Sequence, residues 1–355
     1  MIRTLRHTKK KSNQFSALLL KGDDLVGNSY DTVGLYDAFE KLASIVHRTS
    51  CKQSKTLNEI TGNSVSLKLE NLQKTGSFKI RGAFNKISRL TDEECRKGIL
   101  AASAGNHAQG VALAGKEKGV PATIYMPVTT PEAKVLATRQ YGATVQLVGN
   151  NFDEAYAAAK KEQLFTGAAF IHPFDDMAVI EGQATVAMEM MQQCPDLDTI
   201  VVPAGGGGLL AGTALAIKAI RPNVRVIGVQ AQAAPAIASI FHGIRNSAVP
   251  FLTTIAEGIK VKEPGKLTTQ IINAYVDDVI TVSEREIASA ILFMLEREKM
   301  LVEGAGAAAV AAVLYRHLPF QSNHTGVIVS GGNFDISKLN ACIKTVTDIS
   351  AASSF

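Results

Sequence analysis

One lysine stands in an unusual setting, within the segment KTGSFKIRGA at positions 74–83. Lys79 follows a Gly-Ser pair and is flanked by Phe78 and Ile80. Removal of an ammonium group from water lowers its pKa, and the neutral amine that results is a nucleophile. A lysine that snorkels out of an apolar helix start would show the same local pattern. These ten residues alone leave a reactive lysine and a structural one equally open.

A second candidate for chemistry is the run of glycines in AGGGGLLAG, positions 204–212. It joins an apolar strand to a helical stretch, so several backbone N–H groups can point at one anion. The Gly-Lys-Ser/Thr ending of a nucleotide P-loop is missing. Its G-x-G-x-x-A spacing is the weak dinucleotide pattern, but the next strand ends in Gln230, where an acid would be needed to bind a ribose. The run favours a single phosphate monoester over a merely tight turn.

A third segment, SAGNHAQG at 103–110, combines a hydroxyl, an amide and the backbone N–H groups of a helix start. These groups suit a carboxylate ligand. Helix capping by Ser103 or Asn106 would explain the same residues. His107 is a candidate general base, but a helix-start histidine with structural hydrogen bonds is the better interpretation.

The fourth segment is VIVSGGN at 327–333, which places Ser330 at the end of a strand. By itself it predicts only a turn. Together, the three loops and Lys79 describe a ligand with a phosphate at one end, a carbonyl group that traps an amine, and an amino acid carboxylate nearby. Pyridoxal phosphate (PLP) fits this description, because its aldehyde bonds to a desolvated lysine and its ring takes up electrons.

The elements that must position these segments alternate between strand and helix from residue 98 to 172 and again after residue 176. The helical stretches begin at proline or end at glycine, as helices commonly do. This order predicts an α/β fold with mainly parallel sheets flanked by helices on both faces. One late helix is predicted to begin at a capping box formed by Ser283 and Glu286.

We expect two lobes. Residues 25–97 and 176–349 form a large PLP-binding domain, and residues 98–175 form a small domain inserted in it. Ligands of parallel sheets bind at the carboxyl ends of strands, and each of the three polar loops follows a strand. The predicted elements therefore direct the loops towards one site.

Composition excludes several classes of protein. The hydrophobic content of 46% and charged content of 19% are those of a globular chain. The net charge is +5, but residues 1–22 contain six Lys or Arg and no acid, which leaves the remainder at about −1 (5 minus 6). A nucleic-acid partner is therefore not expected. The longest uncharged run, 199–217, contains Pro203 and five glycines, so no membrane span is expected either.

The basic residues 1–24 are expected to form a disordered tail of a cytoplasmic protein, with an organellar targeting segment as the alternative. The four cysteines are scattered without paired spacing or a neighbouring histidine, which predicts reduced thiols of an intracellular protein and no metal site. They are Cys51, Cys95, Cys194 and Cys342.

Four of these motifs, SFKIRGA, SAGNHAQG, GGGGL and SGGN, occur in an order and at intervals that resemble the threonine dehydratase and serine racemase family of PLP enzymes. The resemblance covers residues 30–345. It implies the tryptophan synthase β-like architecture, known as fold type II. HRTS at 47–50 departs from the usual Thr-Pro of the family. Only 22 residues follow Asn333, so the C-terminal regulatory domain of some relatives is not expected.

The resemblance also implies residue roles. Lys79 would carry the cofactor and move protons, Phe78 would pack on the ring, and Ser330 would face the pyridine nitrogen. The residues implied to bind the cofactor are Phe78, Lys79, Asn106, Gly205, Gly206, Gly207, Gly208, Leu209, Gly258, Glu303 and Ser330. Those implied to bind the substrate carboxylate are Ser103, Ala104, Gly105, Asn106 and His107.

The reaction implied is elimination of water from L-threonine, which gives 2-oxobutanoate and ammonia; L-serine would give pyruvate. Family racemases have a serine where this chain has Ala104, and an alanine cannot donate a proton. The acids that bind a cation in animal-type racemases correspond here to Gln230, Ala234 and Ala236.

A racemase, a dehydratase of another β-hydroxy amino acid and a non-catalytic PLP-binding protein remain as alternatives. Family members are homodimers or homotetramers, and their dehydratases serve isoleucine biosynthesis or threonine catabolism. The same two assembly states and the same two roles are open for this chain.

Overall fold

The computed structural model describes residues 32–244 and 253–348. The predicted tail at 1–24 lies outside them. Their strands are β1 (Cys51–Gln53), β2 (Ser64–Leu69), β3 (Ile99–Ala102), β4 (Ala122–Met126), β5 (Thr144–Leu147), β6 (Ala169–Phe170), β7 (Thr199–Pro203), β8 (Arg225–Ala231), β9 (Asp278–Val282) and β10 (His324–Val329).

The α-helices of the same residues cover both sheets. They are α1 (Thr32–Leu42), α2 (Lys55–Thr61), α3 (Lys79–Ile87), α4 (Asp92–Lys97), α5 (Asn106–Lys118), α6 (Glu132–Gln140), α7 (Phe152–Thr166), α8 (Met177–Gln193), α9 (Gly208–Ile220), α10 (Ala236–Phe241), α11 (Lys266–Tyr275), α12 (Glu284–Glu296), α13 (Gly304–Leu314) and α14 (Leu339–Thr347).

The strands form two sheets. The larger has six strands in the order β1-β2-β10-β7-β8-β9, and the smaller has four in the order β5-β4-β3-β6. All neighbouring pairs are parallel except β1 and β2, which are antiparallel. Strand and helix alternate along the chain as the sequence predicts. The short antiparallel edge strand β1 is not among the predicted elements.

The larger sheet is buried on both faces. Ile200 and Val202 of β7 belong to a core cluster that includes α8 and α9. Val201, between them, belongs to a second cluster that includes α12 and α13. Successive side chains of a strand point to opposite faces, so one apolar strand can serve two layers of helices.

Local signals set several helix ends. Ser283 and Glu286 form both hydrogen bonds of a capping box at the start of α12, which confirms that prediction. Helices α5 and α7 end at Gly119 and Gly167, whose φ angles are 72° and 66°, a left-handed conformation in which glycine carries no penalty.

The uncharged run 199–217 forms β7, the glycine loop and most of α9. None of the helices described is long and apolar enough to cross a membrane.

Candidate active site

Lys79 is the first residue of α3, and its side chain is half-buried. Its Nζ donates a hydrogen bond to the carbonyl oxygen of Pro173 at 2.9 Å and lies 5.1 Å from the ring centroid of Phe78. Burial lowers the pKa of Lys79 to about 8, and the negative charge of Glu303 limits the fall. A pKa near 8 leaves roughly a tenth of the amine neutral at pH 7. The side chain can therefore act as a nucleophile or a base.

A buried charge cluster holds α3 in place. Arg81, two residues after Lys79, is inaccessible to solvent. Its Nε and Nη2 donate to both carboxylate oxygens of Glu70 at 2.8 Å, and its Nη1 donates to Oε1 of Glu189 at 2.8 Å. Lys68 donates to the other oxygen of Glu189 at 2.5 Å. Two cations and two carboxylates thus neutralise one another, and the planar guanidinium fixes the orientation of the helix.

Close backbone contacts add to this fixation. A Cβ atom on Gly110 of α5 would lie 2.9 Å from the carbonyl carbon of Lys79. A Cβ on Gly182 of α8 would lie 2.6 Å from the carbonyl oxygen of Arg81. Distances below 3 Å are steric overlaps, so only glycine permits α5 and α8 to approach α3 this closely.

The glycine loop connects β7 to α9. Gly207 has a φ of +95°, and a Cβ on Gly206 would lie 2.3 Å from the ring of Phe174. The first backbone hydrogen bond of the helical pattern of α9 runs from the N–H of Ala211 to the carbonyl oxygen of Gly207 at 2.8 Å. The N–H groups of the preceding helical residues therefore have no carbonyl partner within the helix. With the helix dipole, they form a site for an anion.

Pro173 and Phe174 bring this loop next to Lys79. The carbonyl of Pro173 accepts the hydrogen bond from the amine, and the adjacent ring of Phe174 packs against Gly206. The amine and the anion site are therefore separated by one dipeptide. Neither residue is predicted from the sequence to belong to the site, because nothing local in IHPF distinguishes the two from an ordinary loop.

Ser330 follows β10 and is 3% exposed. The carbonyl of Ser330 accepts a hydrogen bond from the N–H of Phe78 at 3.2 Å, and Ser77 forms an antiparallel bridge with Gly331. The SGGN turn thus lies directly beside the start of α3. A hydroxyl at this position can donate a hydrogen bond to a ligand atom.

Asn106 is the first residue of α5, and both ends of its amide are engaged. Its Nδ2 donates to Oε1 of Glu303 at 2.6 Å, and its Oδ1 accepts from Nδ2 of Asn333 at 2.8 Å. Burial raises the pKa of Glu303 to about 7, although this hydrogen bond opposes the rise. Asn333 also donates to the carbonyl of Thr75 at 2.8 Å. Asn333 ends the SGGN motif but was not predicted as a site residue.

The remaining residues of SAGNHAQG differ in their surroundings. The Nε2 of His107 donates to the carbonyl of Ile171 at 2.9 Å, which assigns the proton to Nε2. Burial and the charge of Lys79 lower the pKa of His107 to about 3, so this imidazole is neutral. Ser103 accepts a hydrogen bond from the N–H of Gly105 at 3.2 Å. A Cβ on Gly105 would meet no atom within 4 Å, which places this residue beside open space.

Gly258 completes the group. A Cβ at this position would lie 2.9 Å from the Cβ of Ala305 and 3.9 Å from Nδ2 of Asn106. A Cβ on Gly205 would lie 3.4 Å from the carbonyl oxygen of Gly258. The structure therefore brings Lys79, the glycine loop, SGGN and SAGNHAQG together at the carboxyl ends of strands. The roles assigned to the individual residues remain predictions.

The chemistry of this donor set fits PLP. The half-buried amine of Lys79 suits an aldehyde, the free N–H groups of the glycine loop suit a phosphate, and the hydroxyl of Ser330 suits a pyridine nitrogen. The described residues contain no cluster of three or more His, Cys, Asp or Glu side chains that could hold a metal ion.

Comparisons with known proteins agree with this chemistry. Residues 42–331 match the family described as pyridoxal-phosphate dependent enzymes. The chain is 51% identical over 308 residues to an L-threonine ammonia-lyase of Thermotoga maritima, which covers 86% of this chain and 76% of that protein. It is 44% identical over 308 residues to the catabolic L-threonine dehydratase of Escherichia coli, covering 86% and 94% of the two chains.

Solved structures with the same fold include both activities named in the resemblance. A maize serine racemase superposes with a TM-score of 0.84 at 37% identity, covering 89% of this chain and 97% of that one. The processed form of threonine deaminase isoform 2 from Solanum lycopersicum gives a TM-score of 0.83 at 34% identity, covering 90% of each chain. The predicted fold class is confirmed: this chain belongs to the pyridoxal-phosphate dependent enzymes of fold type II.

Proposed function

We propose that this chain is a PLP-dependent L-threonine ammonia-lyase. It converts L-threonine to 2-oxobutanoate and ammonia, and L-serine to pyruvate and ammonia. The observation that carries the proposal is the half-buried amine of Lys79, which one dipeptide separates from a phosphate-type anion site. Relatives that are 44–51% identical over most of the chain are named for this activity.

Four groups of the chain would hold the cofactor. The N–H groups of Gly205 to Leu209 would bind its phosphate, the hydroxyl of Ser330 would contact its pyridine nitrogen, and the amide of Asn106 would contact its ring hydroxyl. Phe78 and Lys79 would lie beside the ring and the aldehyde. Bound PLP supplies a carbonyl carbon that amines attack and a ring that takes up negative charge from Cα.

The substrate carboxylate binds at the N-terminus of α5, where backbone N–H groups and the hydroxyl of Ser103 are available. His107 contributes through its backbone there, because its neutral side chain is already hydrogen-bonded to Ile171. Lys79 removes the proton from Cα, since its lowered pKa supplies a neutral amine near pH 8. The β-hydroxyl leaves as water, and hydrolysis of the resulting enamine releases ammonia and the 2-oxo acid.

A serine racemase is the second candidate, because a structural neighbour at 37% identity carries that name. Racemisation requires a proton donor on the face of the substrate opposite the lysine. Ala104, at the position where the family racemases have serine, has no such proton. Elimination is therefore favoured over racemisation.

We also propose that the protein acts in the cytoplasm and forms a homodimer or a homotetramer. Leu164 and Phe165, at the end of α7, are 86% and 77% exposed, and large exposed apolar side chains are typical of interfaces. Sedimentation of the purified protein measures the number of subunits.

The activity is tested by release of 2-oxobutanoate from L-threonine by purified protein with PLP. We expect rapid release by the wild type and none by Lys79→Ala, which also loses the PLP that borohydride reduction fixes to the protein. Lys118→Ala, at an exposed position of α5, is the matched control and should retain both. Full activity of Lys79→Ala would refute the proposal. With L-serine as substrate, formation of D-serine without pyruvate would favour the racemase.

A further inference from the structure

Two cysteines that are far apart in sequence meet in the fold. Cys51 begins β1, and Cys194 directly follows α8, 143 positions later. Their sulfur atoms lie 2.8 Å apart, and both residues are half-buried free thiols. Neither the spacing nor the neighbours of the four cysteines predicted this pair. Cys95 and Cys342 lie in other parts of the fold.

The two thiols differ in reactivity. A hydrogen bond with Cys51, a hydrogen bond from Ser66 and the positive charge of Lys68 together hold the pKa of Cys194 below its ordinary value. The same hydrogen bond and burial raise the pKa of Cys51. A thiolate at Cys194 is the nucleophile of such a pair, and a thiol in contact with it resolves the oxidised product.

We propose that Cys51 and Cys194 form a redox modification site that closes to a disulfide when the protein meets a hydroperoxide. The Cys194 thiolate attacks one oxygen of the peroxide, and the O–O bond breaks. Cys194 becomes a sulfenic acid, and the other peroxide oxygen leaves as hydroxide. Cys51 then attacks the sulfenic sulfur, the S–S bond forms, and water leaves. In total, two thiols are oxidised and hydrogen peroxide is reduced to two waters.

Little movement is needed to form this bond. A disulfide has an S–S length of about 2.05 Å, so the sulfur atoms approach by about 0.8 Å from their present contact. The bond joins edge strand β1 to the end of α8. Helix α8 also carries Glu189, whose carboxylate forms an ion pair with Arg81, two residues after Lys79 in α3. The disulfide would therefore cross-link β1 to α8, the helix that positions Arg81, without altering the residues that line the active site.

The bond should stabilise the folded chain, because it closes a loop of more than 140 residues in the unfolded state. We expect the oxidised protein to melt at a higher temperature than the reduced protein and to retain its activity within about twofold. Dithiothreitol should reverse the increase, since it reduces the disulfide.

The test uses the PLP-loaded full chain, treated with a small excess of hydrogen peroxide, alkylated and digested without reduction. Mass spectrometry should find the Cys51 and Cys194 peptides joined, with two hydrogens lost. Cys95→Ser is the matched control and should give the same joined peptide. Cys51→Ser should leave Cys194 as sulfenic or sulfinic acid, whereas Cys194→Ser should leave Cys51 unmodified at the same dose.

Several results would overturn the proposal. The first is the absence of the joined peptide while other thiols are oxidised, and the second is equal oxidation of Cys51 in the presence and absence of Cys194. A joined peptide whose formation does not change the melting temperature would overturn the stabilising role. These readouts do not depend on the reaction that the enzyme catalyses.

Discussion

Glu303 shows how burial sets a charge state in the site. Its carboxyl group accepts a hydrogen bond from Asn106, yet burial raises its pKa to about 7 from the ordinary value of 4.5. The folded protein therefore binds this proton more tightly than the unfolded chain does. The stability that the proton contributes is complete below the unfolded pKa and is lost as the pH rises through about 7.

Replacement of Glu303 by glutamine should remove this pH dependence, because glutamine is neutral at every pH and still accepts the hydrogen bond from Asn106. One pKa unit corresponds to about 1.4 kcal/mol, so the loss in the wild type between pH 4.5 and 8 is on the order of 3 kcal/mol. Urea denaturation of the PLP-free proteins across this range measures it. Glu132→Gln, an exposed change on α6, should keep the wild-type slope; an unchanged slope in Glu303→Gln would contradict the assignment.

At the same scale, the sequence indicates which side chains react but not which groups they meet. Lys79 could be selected because apolar neighbours and a Gly-Ser turn surround it. Its acceptor, Pro173, is 94 positions away, and Asn333 meets Asn106 across 227 positions. Such contacts depend on which strand ends lie side by side, and no local pattern specifies the strand order.

The elements themselves were predicted more fully, because their signals are local. Alternating apolar runs, glycine helix ends and the Ser283 capping box identify most strands and helices of the two sheets. Strand β1 was missed because three residues are too few for the alternating pattern of a strand. Its antiparallel pairing with β2 also departs from the parallel order elsewhere.

The glycine loop is the element whose shape most directly limits cofactor binding. An alanine at Gly206 would place its Cβ 2.3 Å from the Phe174 ring, so the loop or the ring must move by about 1 Å. Displaced N–H groups lose hydrogen bonds to the phosphate, each worth about 1.5–3 kcal/mol. We expect Gly206→Ala to weaken PLP binding by roughly tenfold to a hundredfold.

Titration of the PLP-free Gly206→Ala protein with PLP, followed by absorbance, measures this change. Gly62→Ala is the control, because a Cβ there meets no atom within 4 Å although its φ is also left-handed, at +76°. That substitution should lower the stability by about 1 kcal/mol and leave PLP affinity unchanged. Equal PLP affinities in Gly206→Ala and the wild type would exclude the loop as the phosphate site.

Considered as a whole, the molecule builds its site from two sheets. The SAGNHAQG segment follows β3 of the four-stranded sheet, whereas the glycine loop and Ser330 follow β7 and β10 of the six-stranded sheet. Contacts between these parts therefore determine how closely the groups approach. Lys134, on α6, makes one such contact with Glu257 at 3.3 Å, and Glu257 is also paired with Lys338.

Glu257 and Gly258 line one pocket together with Glu303, so loss of the ion pairs of Glu257 should loosen the contact between α6 and this side of the site. The three paired side chains are about one-third to one-half exposed, and pairs of this kind contribute at most about 1 kcal/mol. We expect Glu257→Gln to raise the KM for L-threonine by up to about fivefold with kcat nearly unchanged.

About 0.5 M salt should raise the wild-type KM towards that of the variant, since salt screens exposed charges. Glu263→Gln, an exposed acid nearby in the chain, should behave as the wild type does. Salt sensitivity that persists in Glu257→Gln would assign the effect to other charges.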